Sequence, residues 1–217
     1  MTHRFFFSAS LAVLFAAAAP AHAADGEKPK WFARVAVTQL TLADDMRLSL
    51  AGTRVPEAGV DTKTHYTPTF HIGRFVTENV ALSFTGGLPP RIDIDGAGAL
   101  APAGKLAEIT YGPATAMVQY HVNRGGSFSP YAGVGACYML VLDVDDGALQ
   151  DASVENDLAP AVEIGAEFKV ARKMGIFVEA KKAFLHTEAR GTFMGAPVQS
   201  HIRLDPWAVS AGATFHF

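Results

Sequence analysis

Ionisable side chains recur at alternate positions in three neighbouring segments near the C-terminal end of the chain. Glu163, Glu167 and Lys169 fall in one segment, Glu179 and Lys181 in the next, and Arg203 lies further on. Carboxylates and cations spaced two apart on a β-strand share one face, where they can pair, select a solute or gate a passage. Because adjacent strands supply them, the reading preferred here is a network of ion pairs that fills and braces an interior. Selection of solutes or gating is the alternative.

Other reactive residue types form weaker constellations. The eight histidines include no close pair with zinc-like spacing, so metal chemistry is not indicated. Asp143, Asp145, Asp146 and Gly147 resemble the start of a calcium loop, but the spacing fails and the later bidentate glutamate is missing, which leaves an exposed acidic loop. A serine hydrolase needs Ser, His and a carboxylate on one patch. Ser200-His201 with Glu188 supplies the types without a motif that would gather them. No cofactor and no enzymatic step are expected.

Composition narrows the classes further. The single cysteine, Cys137, forbids an intramolecular disulfide, and a formal net charge of −3 without a long basic cluster gives no nucleic-acid footprint. The first residues carry Arg4, an apolar run from Phe5 to Ala19, then Ala21-His22-Ala23, the pattern of a secretory signal peptide cleaved after Ala23. Residues 24–217 are then one domain, since no linker divides them. After the signal no apolar run approaches the roughly 20 residues of a spanning helix, so a membrane would be crossed by strands.

The elements that position the charged residues are read from period-2 alternation. Val162, Ile164, Ala166, Phe168 and Val170 oppose Glu163, Gly165, Glu167 and Lys169. Ala114, Ala116, Val118, Tyr120 and Val122 oppose Thr115, Met117, Gln119 and His121. Between Pro130 and Leu142, Val134, Tyr138 and Leu140 oppose Tyr131, Gly133, Gly135 and Cys137. Weaker alternation over 31–42, 64–76, 80–93, 175–187 and 198–217 brings the strands to eight.

Short connections near 77–79, 123–126 and 171–174 alternate with longer ones over 43–61, 94–105, 143–153 and 189–197. That rhythm belongs to an all-β, eight-stranded antiparallel outer-membrane barrel with its chain ends on the periplasmic side. Period alone also fits a soluble barrel. Small residues opposite the oily row, among them Ser83, Thr85, Gly133 and Gly135, suit a crowded lumen and turn the oily row toward lipid. The lumen-lining candidates are therefore Thr85, Thr115, Gln119, Glu163, Glu167, Lys169, Glu179, Lys181 and Arg203.

The final strand shows Trp207, Val209, Ala211, Ala213, Phe215 and Phe217 on one face. The aromatics fit an interfacial girdle, and the terminal Phe resembles a signal read by the outer-membrane assembly machinery. Pro89 and Pro90 interrupt the third strand while Pro113 sits in the fourth. They mark either the two sides of a gap in the wall or ordinary strand ends.

Ile202-Arg203-Leu204-Asp205-Pro206-Trp207 with Ser210-Ala211-Gly212 and a closing aromatic resembles the OmpW family of small outer-membrane proteins. Ser129 to Gly135 with Tyr138 resembles its fifth strand, Gly112 to Tyr120 its fourth, and Thr77-Glu78-Asn79-Val80 its first periplasmic turn. The resemblance implies passive entry of small hydrophobic compounds through an apolar passage, with sideways exit into membrane lipid. Glu179, Lys181 and Thr85 depart from that pattern, because apolar bulk is expected there. The expected function is thus a passive channel for small hydrophobic solutes. A plugged structural barrel whose outer loops bind partners is an alternative that bilayer conductance would separate; a lipid-modifying enzyme is another, separable by mass analysis of lipid.

Overall fold

The computed structural model describes residues 29–42, 45–50, 53–54, 58–61 and 64–217, so the signal segment expected over 1–23 lies outside the described residues. Eight strands form the wall: β1 (Trp31–Thr41), β2 (His65–Phe75), β3 (Val80–Gly87), β4 (Lys105–His121), β5 (Phe128–Asp146), β6 (Asp157–Ala171), β7 (Met174–Ala183) and β8 (Trp207–His216). Each pairs antiparallel with its sequence neighbours, and β1 closes on β8 from Phe32↔His216 to Thr41↔Trp207. Closure leaves no strand of the wall without a partner on either side, which is what lets a sheet lie in hydrocarbon.

The alternation read from sequence appears as alternating burial. Along β2 every second residue from Thr67 to Phe75 is buried while Tyr66, Phe70 and Ile72 are exposed. Val35, Leu82, Val118, Val134, Ile164, Val178 and Val209 continue this oily belt around the wall. So large an apolar surface cannot face water in a soluble monomer. Trp31, Phe128, Phe168 and Phe215 ring the end that carries the short turns and chain ends. Tyr66, Tyr138 and Trp207 ring the other, giving two interfacial girdles. The protein is thus an outer-membrane barrel, its short-turn end periplasmic and its opposite end outside.

On the outer side the long connections expected from sequence are themselves largely strand. Asp45–Leu50, Thr53–Arg54, Gln150–Val154, His186–Phe193 and Ala196–Arg203 form a second, five-stranded sheet. Arg91–Gly98 pairs with the outer part of β4 and with Ala58–Asp61. The expected last strand over 198–217 is broken at Leu204-Asp205-Pro206, where Asp205 adopts a positive φ of 30° and proline removes a ladder donor. The expected third strand is likewise cut at Leu88-Pro89-Pro90.

Outside the membrane, charged pairs hold this extension. Lys105 lies 2.6 Å from Asp93 and also bonds Glu108, and these hydrogen bonds hold its ammonium above the usual lysine range. The Asp146 carboxylate accepts the Asp151 and Ala152 amides, so this acidic residue organises a hairpin.

Candidate functional site

The inward row of the inner, periplasmic half is polar and closely packed. Glu163, Glu167, Glu179 and Lys181 all project inside and are buried, as do Thr115 and Gln119; Thr85 is half-buried beside them. The centre is Arg34 on β1, 1 % exposed, which the sequence reading did not single out. Its guanidinium donates to the Tyr131 hydroxyl (3.0 Å) and lies 3.7 Å from both Glu167 and Glu179. It also lies within 4.9 Å of the ring centres of Phe32, Tyr131 and Phe177. A cation so enclosed is held by carboxylates for charge and by ring faces for the rest of its surface.

Room for those rings comes from glycine on neighbouring strands. A Cβ at Gly73 would stand 2.1 Å from Phe32, and one at Gly165 2.4 Å from Tyr131. The network then extends in both directions. Tyr131 donates to Glu179 (2.9 Å), Gln119 to Glu163 (2.7 Å), and His216 lies 2.6 Å from Glu167. His121 stacks on Tyr131 and bonds Gln119. Lys181 sits 3.1 Å from Glu163 and 3.3 Å from Glu179 while donating to Thr85 and Thr115. The arrangement closes the straight route down the barrel axis.

Two lumen candidates stand elsewhere. Lys169 keeps the inward register but is exposed at the periplasmic mouth, where with Phe75, His121, Arg124 and His216 it lines a small recess near the end of its strand. Arg203 is not in the lumen. It lies on the outer sheet, half exposed, with its Nε 2.7 Å from Asp205, since the break at 204–206 prevents the alternation of β8 from carrying through to it. Arg34, His71, His121 and Tyr131 were the missed members. Arg34 had a visible signal, a charge between the outward-row residues Ala33 and Val35.

The outer half of the lumen has the opposite character. Leu40, Ile92, Ile109, Tyr111, Met139, Ala183 and Leu185 face inward and surround a cavity of about 120 Å³. The volume is of the same order as the roughly 150 Å³ of apolar cavities that stay dry and take up benzene. Its floor is the upper surface of the ion network, where Thr38, Thr69, Thr85, Thr115, Glu179, Lys181 and Ser210 lie.

Beside this cavity the wall is interrupted. Pairing of β3 with β4 stops at Gly86↔Ala114 and resumes at Arg91↔Thr110, beyond Pro89 and Pro90. Across the interval the Tyr111 amide reaches Pro90 O at 3.3 Å, Pro113 has no amide to offer, and Leu88 is drawn instead to Pro68 O on β2. Gly86, Gly87, Leu88, Tyr111 and Pro113 all line the cavity, so the weak stretch of ladder and the apolar space adjoin. Of the residues named in the hydrolase reading, Glu188 stands opposite His201 in the register of the outer sheet, and its carboxylate accepts from Arg190.

The OmpW family model matches residues 27–217. Outer membrane protein AlkL of Ectopseudomonas oleovorans is 30 % identical over 199 residues, covering 91 % of this chain and 86 % of its own. The dibenzothiophene metabolism operon protein PahQ of Pseudomonas aeruginosa is 27 % identical, with coverages of 91 % and 92 %. The solid-state NMR structure of AlkL superposes with a TM-score of 0.73 over 92 % of this chain and 95 % of that one, at 29 % identity. The crystal structure of OprG from Pseudomonas aeruginosa gives 0.81 at 18 % identity, over 88 % and 98 %, a likeness of fold. With a closed eight-stranded wall, an outward oily belt and a family match across the described residues, the chain belongs to the OmpW family.

Proposed function

We propose that the protein lets small hydrophobic molecules cross the outer membrane passively, entering the outer cavity and leaving sideways through the wall at Pro89, Pro90 and Pro113. The carrying observation is the adjacency of three features: an apolar cavity, a charged floor beneath it and a broken ladder beside it. An apolar solute loses its favourable environment at the Lys181–Glu179 floor, because it cannot replace the ion pairs it would displace. Sideways exit into hydrocarbon has no such barrier. The association of one relative with dibenzothiophene metabolism, an apolar aromatic compound, agrees with a solute of this class.

The reading needs no cofactor and no chemical step; outer-membrane lipid receives the solute, whose own gradient drives the transfer. The inner network acts as a brace and plug. Reconstitution into vesicles with a lipopolysaccharide outer leaflet tests it, following n-octane and a polyol of equal size. Acceleration of octane alone is expected. Equal acceleration of both, or of neither, refutes the reading.

A further inference from the structure

We propose that the cavity floor holds the neutral, hydrogen-bond-accepting head of an otherwise apolar molecule, such as the carbonyl of a ketone, aldehyde or ester. This rests on the uptake reading above and narrows its solute class. The floor carries more hydroxyl protons than it has acceptors for them. The Lys181 ammonium can only donate, and it donates to the Thr115 and Thr85 hydroxyls at 3.1 and 3.2 Å. Thr115 makes no other hydrogen bond among the described residues, so its own O–H is surplus.

Thr85 in turn lies 3.1 Å from His71 Nδ1, the atom to which it can pass its proton. His71 then carries its proton on Nε2, 3.4 Å from Thr69. Thr69, Thr38 and Ser210 are three hydroxyls joined by two hydrogen bonds of 2.7 and 2.8 Å. With that tautomer one O–H of the three is left without an acceptor; with the other, Thr69 gives its proton to Nε2, His71 Nδ1 donates to Thr85, and the Thr85 O–H is the surplus one. All of these hydroxyls line the cavity. The floor therefore offers surplus donors fed from a cation, and such chains polarise one another and strengthen the terminal donor.

The charge of the floor selects among acceptors. Lys181 is already matched by Glu163 and Glu179, and Glu179 itself lines the floor, so a carboxylate head would meet like charge. A neutral carbonyl oxygen has no such opposition. Above it, the Leu40, Ile92, Ile109 and Met139 walls bury an alkyl chain.

The test uses the full barrel in lipid nanodiscs with 2-octanone labelled at its carbonyl carbon, n-octane and octanoate as probes. Infrared difference spectra against empty nanodiscs should show a carbonyl band lowered by hydrogen bonding, and binding should favour the ketone over octanoate. Thr115→Val should lose band intensity and weaken ketone binding by about fivefold, the loss of one ordinary hydrogen bond. Octane binding should hold, and Thr115→Ser should restore the ketone. Ser210→Ala provides the second terminus, with a similar expected loss. A wild-type barrel that binds octane but gives no lowered carbonyl band, or a ketone-to-octane ratio unchanged in both variants, overturns the inference while leaving uptake intact. Failure of the wild-type barrel to take up any probe refutes the uptake reading instead.

Discussion

The two halves of the lumen are built from the same eight strands with the same alternation, yet one is filled and the other hollow. In the inner half, long inward side chains such as Arg34, Tyr131, Phe32 and Phe177 cross the axis, and glycines at 73 and 165 on neighbouring strands make room for the rings. In the outer half the inward positions include Leu40, Ile92, Ile109 and Ala183, which pack as one apolar cluster around a cavity of about 120 Å³. Strand number sets the diameter, and side-chain reach decides whether that diameter is a plug or a passage.

The largest effect is expected from breaking the plug. Arg34→Met leaves Glu167 and Glu179 buried without the cation between them, and removing one member of a buried pair costs about 3–5 kcal/mol. Reversible urea unfolding in bilayers should show that loss, and bilayer conductance should rise as water enters the inner half. Unchanged stability would show that the carboxylates are held mainly by Lys181 and His216.

Filling the hollow half should act differently. Met139→Trp places a large ring among Ile109, Tyr111 and Leu185, and overpacking costs about 1–3 kcal/mol. Octane uptake should fall to the level of protein-free vesicles while the barrel still folds, as judged by its heat-dependent gel mobility. Retained uptake would mean that solutes bypass the cavity.

How the halves differ was only partly legible in the chain. The wall was readable, because a period of two over segments such as 162–170 is imposed by backbone geometry and needs no knowledge of neighbours. Glu163, Glu167, Glu179 and Lys181 were readable as one inward cluster for the same reason. Arg34 was not singled out: its partners lie on β5, β6 and β7, far away in sequence, and its one local signal, a charge between Ala33 and Val35, falls in a weakly alternating strand. Lys169 keeps the inward parity at the periplasmic rim, whereas Arg203 departs from it because parity was extended past the break at 204–206, where nothing enforces it. The outer sheet was hidden because turn-forming residues in 43–61 and 189–197 mark reversals without showing that the arms between them pair.

The prolines sharpen the comparison at the level of exit. With Pro89 and Pro90 replaced by Val, β3 gains two amides that can complete the ladder opposite Tyr111–Pro113. Octane delivery into the membrane should slow several-fold while stability changes by no more than about 1 kcal/mol, in the range of ordinary wall substitutions. Unchanged delivery would discard the gap as the exit and leave the prolines as strand-end markers.

The smallest effect should come from Arg203, which isolates burial as the variable. Like Arg34 it faces a carboxylate, at a shorter 2.7 Å, but its side chain is 55 % exposed where that of Arg34 is 0 %. Water and salt screen the outer pair, so Arg203→Met should cost about 0–1 kcal/mol in the same unfolding experiment. Most of the gap between the two arginine variants should survive high salt, because the inner pair has no solvent to screen it. A loss at Arg203 as large as at Arg34 would mean that the outer sheet depends on that contact to hold Leu204–Pro206, and that the cavity rim is as firmly set as the plug below it.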